Sequence, residues 1–145
     1  MTEKQKTTVC DTVEESYKHF VDVELRYGDT DRQGHINNAV FCTLFESGRV
    51  AFLYEDGQFI AGQGKSIVIA KLTLDYLKEM TFPGVCQIGS RVLSTGRSSI
   101  RIGQAIFKDG ICTSTAESIV VLIDEATGKS TPLDGKTLAK LATFT

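Results

Sequence analysis

Arg26-Tyr27-Gly28-Asp29-Thr30-Asp31-Arg32-Gln33-Gly34-His35-Ile36-Asn37-Asn38-Ala39-Val40-Phe41 is the stretch on which the rest of the chain turns. Before it, residues 20–27 alternate. Val21, Val23, Leu25 and Tyr27 fall on one side, and Asp22, Glu24 and Arg26 on the other, the pattern of a strand with one wet face. After it comes a long apolar run without proline. Asn37 or Asn38 is a natural N-cap for a helix there, because its side-chain oxygen can accept an amide of the first turn. The helix is expected to reach residues 54–56. Phe41, Leu44, Phe45, Gly48 and Phe52 lie on one face, yet Val40, Val50, Ala51 and Leu53 make other faces apolar too, so burial on more than one side is expected. Gly48 costs about 1 kcal/mol against alanine in a helix, which suggests a close backbone approach.

Working outward, residues 56–65 are read as a glycine-bearing loop, and the remainder as strands joined by short turns. Strands are expected over 67–76, 85–95 (weakened by Gly89), 99–108 and 111–124. Asp109-Gly110 is a two-residue hairpin signal, since both positions tolerate positive φ. A short helix is expected over 136–141 and another over 12–17. One strand, one long helix and then four strands with short connections define an α+β fold, an antiparallel sheet curled around a helix. The domain is expected to span 18–145, with 1–17 as a polar arm.

The chain has 145 residues, 16 Lys+Arg against 18 Asp+Glu, and a net charge of −2, which gives no electrostatic footprint for nucleic acid. No apolar run approaches the ~18–20 residues of a membrane span, and the polar start MTEKQKTTVC is no secretory signal. Cys10, Cys42, Cys86 and Cys112 form no C-x-x-C pair, and reduced thiols in a cytoplasmic protein are the expectation. No metal or other cofactor is called for.

The chemistry concentrates in the opening stretch. A helix N-terminus presents unpaired amides and partial positive charge, which can polarise a carbonyl oxygen. Gly34 permits a bend that brings the Asp31 carboxylate toward such a carbonyl. Asp31 could attack the carbon directly or deprotonate a water. A thioester suits this equipment, because its thiolate leaves without much help from an acid. Asp29 is read as a turn-former. His35 is read as bracing the loop and orienting Asp31, with a general-base role as the alternative. His19 is read as a strand-entry residue.

The run D-x-D-x-x-G-H-x-N-N-A, followed on the helix by Phe45-Glu46 and Arg49, resembles the signature of the hotdog-fold acyl-CoA thioesterases of the 4-hydroxybenzoyl-CoA thioesterase family. The resemblance covers residues 18–125. It implies a hotdog fold, Asp31 as the catalytic carboxylate, and the Asn38 amide as the donor to the thioester oxygen. It also implies acyl-CoA as substrate and a homodimer or homotetramer with sheets joined edge to edge. Glu46 is the alternative carboxylate, because some of these enzymes carry theirs on the helix; otherwise it would pair with Arg49 at i, i+3. Gly34, Asn37, Arg97 and Arg101 are candidate substrate-binding residues, the two arginines for CoA phosphates. Cys42-Thr43 stands where the family often has larger residues. Two other readings use the same residues: an enoyl-CoA hydratase or dehydratase working with Asp31 and His35, and a non-catalytic acyl-CoA binder.

Overall fold

The computed structural model describes residues 11–145; Cys10 and the rest of the first ten residues of the expected arm lie outside the described part. Among the described residues, a five-stranded sheet and a helix of 16 residues make most of the fold. β1 (His19–Glu24) is followed by α1 (Asn38–Leu53). A small hairpin of β2 (Tyr54–Glu55) and β3 (Gln58–Phe59) leads to β4 (Lys65–Tyr76), β5 (Val85–Thr95), β6 (Ser99–Lys108) and β7 (Ile111–Asp124), and α2 (Gly135–Ala142) follows. The main sheet is antiparallel throughout, in the order β1-β5-β6-β7-β4.

The sheet curls because both of its edges reach the same core. Val21 and Val23 of β1, and Leu72 and Leu74 of β4, pack against one cluster that holds Phe41, Leu44 and Phe45 of α1. The helical stripe read from spacing is the buried one: Phe41, Leu44, Phe45, Gly48 and Phe52 all face inward. Strand parity is equally plain. On β6, Ile102, Gln104 and Ile106 face the helix side, and Gln104 Nε2 donates to the Phe45 carbonyl at 3.0 Å. Gly89 does not interrupt β5. It pairs with Phe20 and Ala105, and a Cβ there would meet Tyr17 at 2.9 Å. Asp109 and Gly110 turn with φ of 52° and 76°.

Several expectations are corrected. β1 ends at Glu24, and Tyr27 lies in a 3-10 turn over Tyr27–Asp29 with its side chain 81% exposed, because the bonds of Asp29 pull the chain out of the ladder. The helix stops at Leu53. Asp56 and Gly57, both at positive φ, reverse the chain at once into the β2–β3 hairpin, where a loop was expected. Where a short helix was expected over 12–17, a 3-10 turn spans only Glu14–Ser16, and Tyr17 is buried against Phe107. Of the helix, Val50 and Cys42 remain exposed, so α1 is covered on the sheet side only. Arg49 does not pair with Glu46. It is buried, with Nη1 3.5 Å from Gln104 Oε1, and burial pushes its pKa down.

Candidate active site

The loop between β1 and α1 is held by main-chain bonds on both sides. The Asp31 amide donates to the His35 carbonyl at 2.7 Å, and the Gly34 amide donates to the Asp31 carbonyl at 3.2 Å, with Gly34 at φ +83° as the bend requires. The Ile36 amide donates to the Met80 carbonyl at 2.7 Å, and the Asn37 amide to the Asp29 carbonyl at 2.8 Å. His35 and Thr81 form a bridge as well, so the loop is stitched to the β4–β5 connection.

Asp29 and Asp31 play different parts. Asp29 is buried. It accepts from the Arg26 amide at 2.9 Å and from the Arg26 guanidinium at 2.8 and 3.2 Å. The Arg26 side chain beside it holds its carboxyl below the ordinary value. Asp31 is exposed, and its Oδ1 accepts the Gln33 amide at 2.8 Å and the His35 amide at 3.1 Å. These bonds fix the carboxylate in place without taking it out of solvent. His35 contributes its backbone to Asp31, and its Nε2 lies 3.2 Å from Glu79 Oε2.

The helix begins as the sequence suggests. Asn37 is the N-cap: its Oδ1 accepts the Ala39 amide at 3.0 Å, and its carbonyl accepts the Val40 amide at 2.9 Å. Of the first three helical amides, that of Asn38 is left without an acceptor among the described residues, as the geometry of a helix start dictates.

Asp31, His35 and Asn38 come together. They line one cavity of about 380 Å³ with Phe41, Tyr76 and Met80. Sequence reasoning did not pick out Tyr76 and Glu79. The first ends β4 on the same strand face as Leu72 and Leu74; that parity is the one local signal for it. The second lies beyond the strand and meets His35 only through the fold. The other candidates lie elsewhere. Gly34 is exposed at the bend, Asn37 is engaged as the cap, and Glu46 points outward from α1. Arg97 sits in the β5–β6 turn, about 30 Å along β5 from the end of the sheet that carries the loop. Arg101 faces away from α1 and is paired with Glu117. Among the described residues, no three His, Cys, Asp or Glu side chains gather as a set of metal ligands. A second cavity of similar volume lies at the far end of α1, walled by Phe52, Phe59 and Phe144 with Lys140 at its rim. His19 starts β1 beside those rings, and burial lowers its pKa.

Comparison with known proteins places this geometry. The family model of the thioesterase-like superfamily matches residues 25–141, from the end of β1 through α2. The chain belongs to the thioesterase-like superfamily. The PA5185 protein of Pseudomonas aeruginosa strain PAO1 superposes with a TM-score of 0.81 at 25% identity, over 90% of this chain and 94% of that one. A thioesterase of Thermus thermophilus, solved with coenzyme A and Zn, superposes with a TM-score of 0.76 at 26% identity, over 89% and 96%. The chloroplastic acyl-acyl carrier protein thioesterase ATL3 of Arabidopsis thaliana is 28% identical over 93 residues, 62% of this chain. The chain spans about half the length of that plant relative, 49%. The antiparallel sheet packed on one helix is the hotdog arrangement. No helix among the described residues is long and apolar enough to cross a membrane.

Proposed function

We propose that this chain hydrolyses acyl-CoA thioesters to a free acid and CoA thiol, with Asp31 as its carboxylate and the Asn38 amide as its oxyanion donor. The observation that carries the reading is that Asp31 and Asn38 line the same cavity, at the N-terminus of α1. A thioester carbonyl seated there takes a hydrogen bond from the Asn38 N–H, and the helix dipole favours the negative charge that develops on its oxygen. The Asp31 carboxylate then either attacks the carbonyl carbon, giving an anhydride that water cleaves, or removes a proton from an attacking water. In both routes the C–S bond breaks and the thiolate leaves. His35 braces the carboxylate through its amide, and Asn37 holds the helix start through its side chain.

Coenzyme A in the Thermus relative supports a pantetheine-linked acyl group as substrate, and the plant relative's carrier-protein substrate has the same thioester end. Gly34, Arg97 and Arg101 remain candidates for contact with the carrier, the two arginines by way of a neighbouring subunit. A homodimer, or a tetramer built from it, is part of the proposal, joined at the free edge of β4. The exposure of Val68 and Ile69 on that strand supports it. A cytoplasmic location fits a CoA substrate.

The test is thiol release over a panel of short, long and aromatic acyl-CoAs, with acyl carrier protein thioesters alongside. Asp31→Asn keeps an oxygen for the Gln33 and His35 amides but removes the charge. Turnover is expected to fall about 10²–10⁴-fold, while Glu46→Gln stays near wild type. The reverse result would move the carboxylate to the helix. Loss of enoyl-CoA absorbance without thiol release would make the protein a hydratase instead.

A further inference from the structure

We infer that Tyr76 is a positioning residue for the oxyanion amide, fixing the first turn of α1 from the edge strand β4. The inference rests on the reading of the Asn38 amide as donor to the thioester. Its starting point is the hydroxyl of Tyr76, which donates to the Asn38 carbonyl at 2.8 Å. The helix makes most of its sheet contacts with β1, β5 and β6; this bond reaches it from the opposite edge, where Leu72 and Leu74 of β4 pack against the same core.

That carbonyl belongs to the peptide whose N–H is Ala39's, and the Ala39 N–H donates to Asn37 Oδ1 at 3.0 Å. Tyr76 thus heads a short chain: hydroxyl to carbonyl, then across one peptide unit from N–H to the capping oxygen. Such bonds polarise one another, so a donor on the carbonyl makes the amide on the other side of the peptide a stronger donor to the cap. The cap residue in turn carries the carbonyl side of the preceding peptide, whose N–H is that of Asn38. The orientation of the oxyanion donor is therefore set by a residue that need not touch the substrate's oxygen.

The ring is placed to hold this geometry. It stands edge-on to Phe41, with centroids 5.3 Å apart at 83°, and both rings wall the cavity. A phenol ordinarily titrates at about pH 10, so Tyr76 keeps its proton, and its donor role, across the neutral range; partial desolvation shifts it further upward.

The test uses Tyr76→Phe, which retains the ring and its contact with Phe41 and removes only the donor. Two readouts are expected to move. Amide hydrogen exchange at Ala39 and Val40 should quicken, and kcat for a good acyl-CoA should fall about five- to tenfold, the worth of one ordinary hydrogen bond, with KM within about twofold. Unchanged exchange overturns the inference, and so does unchanged kcat. A raised KM with kcat intact also overturns it, since Tyr76 would then be a wall for the acyl group. Asp31→Asn, run in parallel, keeps the two questions apart. If Asp31→Asn keeps its turnover, the assignment of Asp31 as the carboxylate falls, while the exchange rates still decide for or against the Tyr76 bond.

Discussion

Asp29 and Asp31 are two positions apart and divide the work of the loop between them. Asp29 has surrendered its carboxylate to Arg26, through one backbone and two guanidinium bonds, and its carbonyl to the Asn37 amide. It is the post on which the loop turns toward the helix. Asp31 spends one oxygen on two loop amides and stays exposed at the cavity. The distinction has a pH signature. The carboxyl of Asp29 titrates below its ordinary value in the folded chain, so the unfolded chain binds a proton more readily. Its contribution to stability is complete above the unfolded value of about 3.9 and disappears as pH falls through the lower folded value. Asp29→Asn is therefore expected to lower the urea midpoint at neutral pH and to flatten the loss of stability between about pH 5 and pH 3. Urea titrations of both proteins at several pH values check this. Parallel curves with an equal acid limb would show that Asp29 does not hold the loop.

At the scale of elements, α1 shows where sequence pattern reads true and where it stops. Its apolar stripe and a start capped by Asn37 or Asn38 follow from spacing and capping chemistry; the structure has the stripe and takes Asn37 as the cap. The fate of Arg49 does not follow. A charge three residues after Glu46 suggests a surface pair, but Gly48 lets the helix sink onto β5 and β6, and the arginine goes down with it to Gln104. How close that approach is appears only in three dimensions. A Cβ on Gly48 would stand 2.5 Å from Ile88 Cγ2 and 2.7 Å from Gln104 Nε2, which is itself held by the Phe45 carbonyl and Ser90 Oγ. Alanine gains about 1 kcal/mol of helix propensity, yet overpacking a tight core costs about 1–3 kcal/mol. Loss of the Gln104 bonds adds to the cost. Gly48→Ala is expected to be destabilising by about 1–2 kcal/mol net, read as a lower urea midpoint. A rise in the midpoint would mean that the sheet yields more readily than its packing implies.

For the whole molecule, the strands β4, β6 and β7 were legible because alternation marks a sheet with two unlike faces, and Asp109-Gly110 marks its turn. The site was legible in part, because the loop and the helix cap that form one wall are contiguous in sequence. Its other wall, Tyr76 through Met80, comes from some 40 residues further on and has no local mark beyond strand parity. The β2–β3 hairpin was missed because its glycine reads equally well as loop or as tight turn. One feature of the sheet belongs to no single element. β4 closes the strand order with no neighbour beyond it among the described residues, and Ile69 in its middle is 50% exposed, near a register shift at Ile69/Lys71. An open strand edge carrying apolar side chains invites pairing with another copy. The proposed dimer would cover it, and Tyr76 on the same strand would tie the helix start to that contact. Ile69→Lys places a charge in the middle of the edge, where it would have to be desolvated on pairing. It is expected to weaken self-association about tenfold or more, measured as a shift toward monomer mass by light scattering across a dilution series. Because Ile69 is already half exposed in the single chain, the circular dichroism spectrum of the variant should match that of the parent. A variant that keeps the dimer mass at every dilution would place the subunit contact on another face of the sheet.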